Sequence, residues 1–321
     1  MTVPLAFPQS LLRARVAVCG DFALDAHWEL AEEASAPSIE TALAVRRVRN
    51  QRYELGGAAR VAAHLSALRV QRAVLVGAIG RDPFGAELLA RLDLPSLRTG
   101  ALLRRNDWST LVYGKPRLHG AEQERLDFGT WTEPGEALRA LLLQHLGAAA
   151  RRSDVVILNQ QVDPGLLGPH LAEALNALIA AHPERIFLAD GRERLPALRG
   201  VVAKCNAREA RAFLGSAEDE VLSLARALAQ QRTGLVFVTD GERGLAWATP
   251  EDAELVAPPF VVDQADACGA GDAATAALGA ALACGVRPDE AARFATGYVA
   301  EALRASQRSR TLNSRAPRST S

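Results

Sequence analysis

The sequence predicts an α/β fold: a mainly parallel sheet covered by helices on both faces, in three layers, with a small β lid projecting from it. Three observations point there. Short β-branched runs recur along the chain, Ala/Leu-rich segments with apolar residues three and four apart lie between them, and two polar, Arg-rich segments interrupt the alternation. A parallel connection needs a crossover long enough to hold a helix, so strands that alternate with helices imply a parallel sheet between two helical layers.

Taken in order, the first strand is Arg15-Val-Ala-Val-Cys19, and it ends at Gly20-Asp21. Residues 26–54 follow as the first lid segment, because they mix charge with short β-prone pieces and form no apolar helical face. Ala58 to Leu68 reads as an amphipathic helix and Arg72-Ala-Val-Leu-Val76 as a strand ending at Gly77. Residues 108–127 form the second lid segment, with Thr110-Leu-Val-Tyr113 as its β-prone part. Helices are expected over Glu136 to Leu146, Leu166 to Ile179 and Val221 to Ala229. Strands are expected at Asp154-Val-Val-Ile-Leu158, Arg185-Ile-Phe-Leu-Ala189, Gly200-Val-Val-Ala-Lys204 and Gly234-Leu-Val-Phe-Val238. The strands stop at small or polar residues, Asn159, Asp190, Asn206 and Thr239-Asp240 among them, and ligands of open parallel sheets bind beyond the carboxyl ends of the strands. Residues 1–305 are therefore read as one domain, and the Ser/Arg-rich segment 306–321 as a disordered tail.

Composition narrows the partners. With 49% hydrophobic and 23% charged residues among 321, the chain has the makeup of a soluble globular protein. Lys plus Arg and Asp plus Glu both total 37, which supplies no field for nucleic acid or an anionic membrane and leaves a small molecule as the expected ligand. Cys19, Cys205, Cys268 and Cys284 show no metal spacing, and the histidines at 27, 64, 119, 145, 170 and 182 form no close pair. Free thiols, no basic-then-apolar leader and no apolar run of bilayer length predict a cytoplasmic protein.

The segment with most chemical content is Asp266-Ala-Cys-Gly269-Ala270-Gly271-Asp272, which precedes an alanine-rich run from Ala273 to Cys284 that must be helical. The glycines then lie at a helix N-terminus, where unpaired N–H groups and the helix dipole favour phosphate or developing negative charge. A carboxylate in that first turn is positioned to accept a proton. An N-cap aspartate behind a tight glycine turn explains the tetrapeptide equally well. The pattern is not GxGxxG, so a dinucleotide fold is disfavoured.

A second segment adds weight to the functional reading: Gly56-Gly57-Ala-Ala-Arg60 opens a helix, and Gly77-Ala-Ile-Gly80-Arg-Asp82-Pro-Phe-Gly85 follows the next strand. Together with Gly269-Ala270-Gly271-Asp272 they resemble the paired signatures of the ribokinase (PfkB) family of carbohydrate kinases, over roughly residues 14–300. The resemblance implies a ribokinase-like sandwich, ATP and Mg²⁺ as cofactors, and transfer of the γ-phosphoryl group to a substrate hydroxyl. It assigns Asp272 as the base and Gly269, Ala270 and Gly271 as the turn around the transferred group. Asn206-Ala-Arg-Glu209 is similar to the family's Asn-x-x-Glu motif, which contacts Mg²⁺ through water, although the same four residues also make a capping box. Thr239, Gly241 and Gly244 fall in the turn that the family places beneath ATP; Asp25, Gly56, Gly57 and Arg60 fall on the substrate side.

Within the family the chain most resembles kinases of heptose 7-phosphate, through Gly20-Asp21-Phe-Ala-Leu-Asp25-Ala-His-Trp28 and Gln123-Glu-Arg125-Leu-Asp127-Phe128. Three positions depart from that pattern. Arg60 replaces an Asn, Asn159-Gln160-Gln161 replaces Ser-Asp-Tyr, and Thr296 stands where Asn is common. A cation at position 60 suits a phosphate or carboxylate on the ligand better than a neutral hydroxyl. A sugar or sugar-phosphate kinase is the reading that follows, with a non-catalytic sensor of the same fold, or a nucleoside or vitamin-precursor kinase, as alternatives. Monovalent-cation activation is known in the family, and an exposed β lid predicts a homodimer formed through it.

Overall fold

Strands form where the β-branched runs lie, and the structure, a computed structural model, describes them over residues 8–32, 36–192, 195–260 and 269–315. From the start, α1 (Pro8–Leu11) leads into β1 (Arg15–Gly20), β2 (Phe22–Leu30), β3 (Val48–Gly57) and α2 (Ala58–Ala67). Next come β4 (Arg72–Gly80), α3 (Pro83–Arg91), β5 (Leu97–Arg105), β6 (Leu111–Leu118), β7 (Ala121–Glu122) and β8 (Leu126–Phe128). The middle holds α4 (Glu136–Ala150), β9 (Val155–Gln160), α5 (Ala172–Ala180), β10 (Ile186–Gly191), β11 (Val202–Asn206) and α6 (Ala207–Leu214). The last part is α7 (Val221–Arg232), β12 (Val236–Thr239), β13 (Leu245–Ala248), β14 (Ala253–Val256), α8 (Ala270–Ala283) and α9 (Pro288–Arg315).

Nine strands make the main sheet in the order β14-β13-β12-β11-β10-β9-β1-β4-β5. It is parallel from β12 to β5, and β13 and β14 add an antiparallel edge. Successive residues of one strand serve opposite cores, as a two-residue period requires. Val16 and Val18 of β1 pack with α2, α3, α8 and α9, whereas Ala17 and Cys19 pack with α4, α5, α6 and α7. Side chains such as Leu65, Leu75, Ile79 and Ile157 are fully buried, each contributing roughly 1.5–3 kcal/mol. Cys19 and Cys205 are buried free thiols, and burial pushes both up to about 12, so they pack rather than react.

Helix α8 lies close against the centre of the sheet because its residues are small. A Cβ on Gly279 would come within 2.6 Å of the Ile157 side chain. This close seat brings the start of α8 to the carboxyl ends of the strands.

The small sheet runs β3-β2-β6-β7, with β8 also paired to β6, and takes its strands from both polar segments. Its strands reach beyond the expected ranges. β2 begins at Phe22 and β3 ends at Gly57, because the apolar stretch Phe22 to Ala26 passes directly from the core into the lid. Two other expectations shift. The helix expected from Leu166 starts at Ala172 after a 3₁₀ turn, Pro169–Leu171, since Gly168-Pro169 interrupts it. α9 carries on through Arg315, so residues 306–315 of the expected disordered tail are helical, as extending an anchored helix is far easier than nucleating one. Residues 316–321, and Cys268 with the rest of 261–268, lie outside the described residues. Among the described residues no helix is long and apolar enough to cross a membrane.

Candidate active site

The carboxyl ends of β1, β9, β10, β11 and β12 lie side by side, in the register Gly20↔Asn159, Asn159↔Asp190, Asp190↔Lys204 and Asn206↔Thr239. The predicted polar residues therefore do converge, and α8 enters the row from above. Gly269 is the N-cap of α8 at φ 89°, a left-handed conformation that favours glycine, and no side chain caps the helix. Glycine is required there for a second reason. A Cβ at 269 would lie 2.8 Å from both Cδ and Nη1 of Arg60, whose side chain runs along the turn.

Asp272 is the third residue of α8, with a side chain only 13% exposed. Burial pushes its pKa up to about 6 from the usual carboxylate range, with Asp190 adding to the rise and the cations Arg60, Lys204 and Arg192 opposing it. The Nη1 of Arg60 stands 3.6 Å from Oδ2 of Asp272. A carboxylate that titrates near neutrality at an uncapped helix N-terminus can take a proton where an adjacent anion is stabilised.

Asp25 and Arg60 meet directly. The Nη2 of Arg60 donates to Asp25 Oδ2, the Nε of Arg60 donates to the Leu55 carbonyl at 2.8 Å, and Lys115 Nζ lies 2.8 Å from Asp25 Oδ1. Gly56 and Gly57 form the passage from β3 into α2. At Gly57, φ is 52° and a Cβ would lie 2.6 Å from the Asp21 carbonyl, so the glycine lets the two strand ends approach. Asp21, fully buried, accepts from the N–H groups of Gln161, Val162 and Leu166; burial raises its pKa and these three donors oppose the rise. It braces the loop after β9, a structural task distinct from that of Asp25.

On the other side of the α8 turn is a cavity of about 600 Å³. Asn206, Thr239, Gly241, Gly244, Ala270 and Gly271 all line it. Glu209 does not, because it is folded back. Its carboxylate accepts from the Asn206 N–H at 2.9 Å while the Asn206 side chain accepts from the Glu209 N–H at 2.9 Å, a complete capping box on α6. Gly244, at φ 104°, has no room for a side chain, since its Cβ would lie 2.1 Å from the Val256 carbonyl. The sequence-predicted residues thus divide into two groups, with Gly269 to Asp272 as the shared boundary.

Several residues of the site were missed in the sequence. Lys204 is buried, lines the cavity, and places Nζ 3.1 Å from both oxygens of Asp190. Burial pulls its pKa down, but Asp190, with Asp272 and Glu209 adding to it, turns the net shift upward. The Thr275 hydroxyl lies within hydrogen-bonding reach of both Asp190 and the Gly271 carbonyl and has one proton to share between them, joining this pair to the first turn of α8. Lys115, and Arg192 reaching Gln161 Oε1 at 2.9 Å, add positive charge on the acceptor side. A lysine closing an apolar run was the available sign for Lys204. For Lys115 and Arg192 no local pattern distinguishes them from surface residues. The Asn159-Gln160-Gln161 departure also resolves: Asn159 and Gln161 bond each other at 3.3 Å, while Gln160 turns away and donates to the Val162 carbonyl.

A profile described as "pfkB family carbohydrate kinase" matches residues 16–313. A bifunctional protein HldE of Caulobacter sp. (strain K31) is 31% identical over 303 residues, covering 90% of this chain and 59% of that protein. The D-beta-D-heptose 7-phosphate kinase of Bordetella bronchiseptica is 29% identical, covering 89% of this chain and 90% of its own. The chain spans about three-fifths of the length of the bifunctional relatives. Among solved structures, Escherichia coli phosphofructokinase-2 superposes with a TM-score of 0.71 at 21% identity, over 91% of this chain and 95% of that one. An Arabidopsis thaliana ribokinase complexed with ribose and ATP gives 0.64 at 18% identity, over 88% and 90%. These likenesses establish a ribokinase-like fold.

Proposed function

The chain belongs to the pfkB family of carbohydrate kinases, and from that premise we propose that it transfers the γ-phosphoryl group of ATP to a hydroxyl of a sugar or sugar phosphate, with Asp272 as base. The observation that carries this reading is the position of Asp272: a desolvated carboxylate at the uncapped start of α8, between the cavity and the Asp25–Arg60 pair.

The residues present fit a nucleotide. The cavity has room for one, the first turn of α8 and Lys204 supply positive potential at one end, and Thr239, Gly241 and Gly244 form its floor. The fit to Mg²⁺ is looser: among the described residues no group of three acidic, His or Cys side chains could hold an ion directly. Asn206 and Glu209, whose first bonds go to each other, fit a metal held mostly by water and phosphate. Bound there, Mg·ATP supplies the phosphoryl donor and the metal charge that offsets its phosphates.

The chain's own part is positioning and electrostatics. Asp272 accepts the proton of the acceptor hydroxyl as that oxygen attacks. Backbone N–H groups at Ala270 and Gly271 face the negative charge that builds up, reinforced by the dipole of α8. Lys204, fixed by Asp190, adds a cation whose position costs nothing to arrange during the reaction. The acceptor lies on the Asp25, Gly56–Gly57 and Arg60 side. A sugar phosphate is supported by the name of the Bordetella relative and by the surplus cations Lys115 and Arg192. We also assign a homodimer through the lid, whose strands expose Leu126, Phe128 and Val48 in part; sedimentation at working concentration checks it, and a monomer would remove it.

The test is phosphoryl transfer, read as ADP formed and as phosphorylated product by ³¹P NMR, across free and phosphorylated sugars. Transfer to at least one is expected. ATP binding with no transfer to any acceptor would favour the non-catalytic sensor.

A further inference from the structure

Arg60 occupies a place that neither the anion turn nor the nucleotide cavity explains. It is the third residue of α2, its side chain is 15% exposed, and contacts on several sides fix it. Nε is held by the Leu55 carbonyl, Nη2 by Asp25, and the guanidinium runs along the Gly269 backbone so closely that any side chain at 269 would displace it. On the side of α8, Nη1 stands 3.6 Å from Asp272. A planar guanidinium bridging two carboxylates is a fixed device in a way a flexible ammonium is not.

The other charges that face Asp272 are differently committed. Lys204, on β11, has both Asp190 oxygens at 3.1 Å. Arg192, after β10, is exposed and donates to Gln161. Asp190 itself, on β10, is negative and works against an ionised Asp272. Arg60, on α2, is the foremost of the charges opposing the burial of Asp272.

We infer that Arg60 is a positioning residue for the base: anchored by Asp25 and Leu55, it holds Asp272 as an aimed carboxylate and ties the acceptor-side acid to the proton acceptor. This rests on the kinase reading for its purpose but not for its test. It also gives Gly269 a task of its own, namely to leave room for the guanidinium.

The experiment is an NMR titration of the full-length, ligand-free chain labelled at aspartate carboxyl carbons, with the Asp272 signal assigned through Asp272→Asn. In Arg60→Asn the Asp272 midpoint is expected to rise by about 1–3 pH units, the size of effect a close opposite charge exerts. Arg60→Lys keeps the charge and should fall between that variant and the wild type. An Arg60→Asn midpoint equal to wild type, in protein whose near-ultraviolet circular dichroism is native, overturns the inference. If Arg60→Asn does not fold, Arg60→Gln is compared with Arg60→Lys instead, and equal midpoints in those two overturn it. Absence of transfer to every acceptor would remove the kinase reading while leaving the titration to decide Arg60.

Discussion

Helices α6 and α8 begin within the same site, each with an acid at the third helical position, Glu209 in one and Asp272 in the other. In α6 the acid turns back onto its own N-cap, the Asn206 side chain answers it, and the helix end is satisfied internally. In α8 the N-cap is a left-handed glycine with no side chain to give, and the acid points away toward Arg60. The first arrangement stabilises a helix. The second leaves N–H groups and a carboxylate available for a ligand, at a cost in desolvation that shows in the raised pKa of Asp272. A closed helix start and an open one, built from the same acid position, separate what supports the site from what acts in it.

The largest effect that tests this contrast is on the open end. Asp272→Asn is expected to lower the transfer rate by about 10²–10⁴-fold, the usual contribution of a general base, with ATP affinity retained. The same change should stabilise the fold. The folded pKa of Asp272 is about 6, above the ordinary carboxylate value, so the folded state holds the proton more tightly than the unfolded one. Folding is then progressively opposed as pH rises from the unfolded value through 6, and the penalty is constant above that. Thermal melts should therefore show the variant more stable than wild type by roughly 1–3 kcal/mol at neutral pH, with the difference gone in acid. Equal melts at neutral pH would contradict a desolvated carboxylate.

Gly269→Ala strikes the same end through geometry. Left-handed alanine costs about 1–2 kcal/mol, and the new methyl falls on Arg60. Activity should fall roughly tenfold to hundredfold as the guanidinium and Asp272 shift, and steady-state kinetics would show it. The closed end should respond more mildly. Glu209→Gln keeps the cap, because glutamine serves in a capping box, and removes one charge. If the pair also serves the metal side, the Mg²⁺ concentration for half-maximal rate rises while the melting temperature stays put. An unchanged Mg²⁺ dependence would confine Asn206 and Glu209 to capping.

The contrast also explains what could be read from the sequence. The strands of the parallel core declared themselves through β-branched runs, and the Gly-Ala-Gly-Asp turn through alanines that only a helix accommodates. Both ends of the Asn206/Glu209 motif were visible as a capping pattern, since capping is local in sequence. The edge strands β5 and β14 were missed, as half-exposed edges carry mixed residues such as Leu97-Arg-Thr-Gly and Ala253-Glu, and β13, though buried, is only four residues long. Lys115, Arg192 and Thr275 were missed for another reason: they reach the site through tertiary contacts, such as the one from Thr275 to Asp190, 85 residues away. Arg60 was legible as a departure, but its two partners, Asp25 and Asp272, were not, because only the fold places α2 between the lid and α8.

The central claim is that Asp272 accepts the acceptor's proton. Its most direct test is the pH dependence of kcat/KM for the best acceptor, at saturating Mg·ATP, in wild type and Asp272→Asn. The account predicts that the wild-type rate falls as pH is lowered through about 6, and that the variant's residual rate lacks that acid limb. A wild-type profile flat through this range, or a variant that keeps both the rate and the limb, would contradict it.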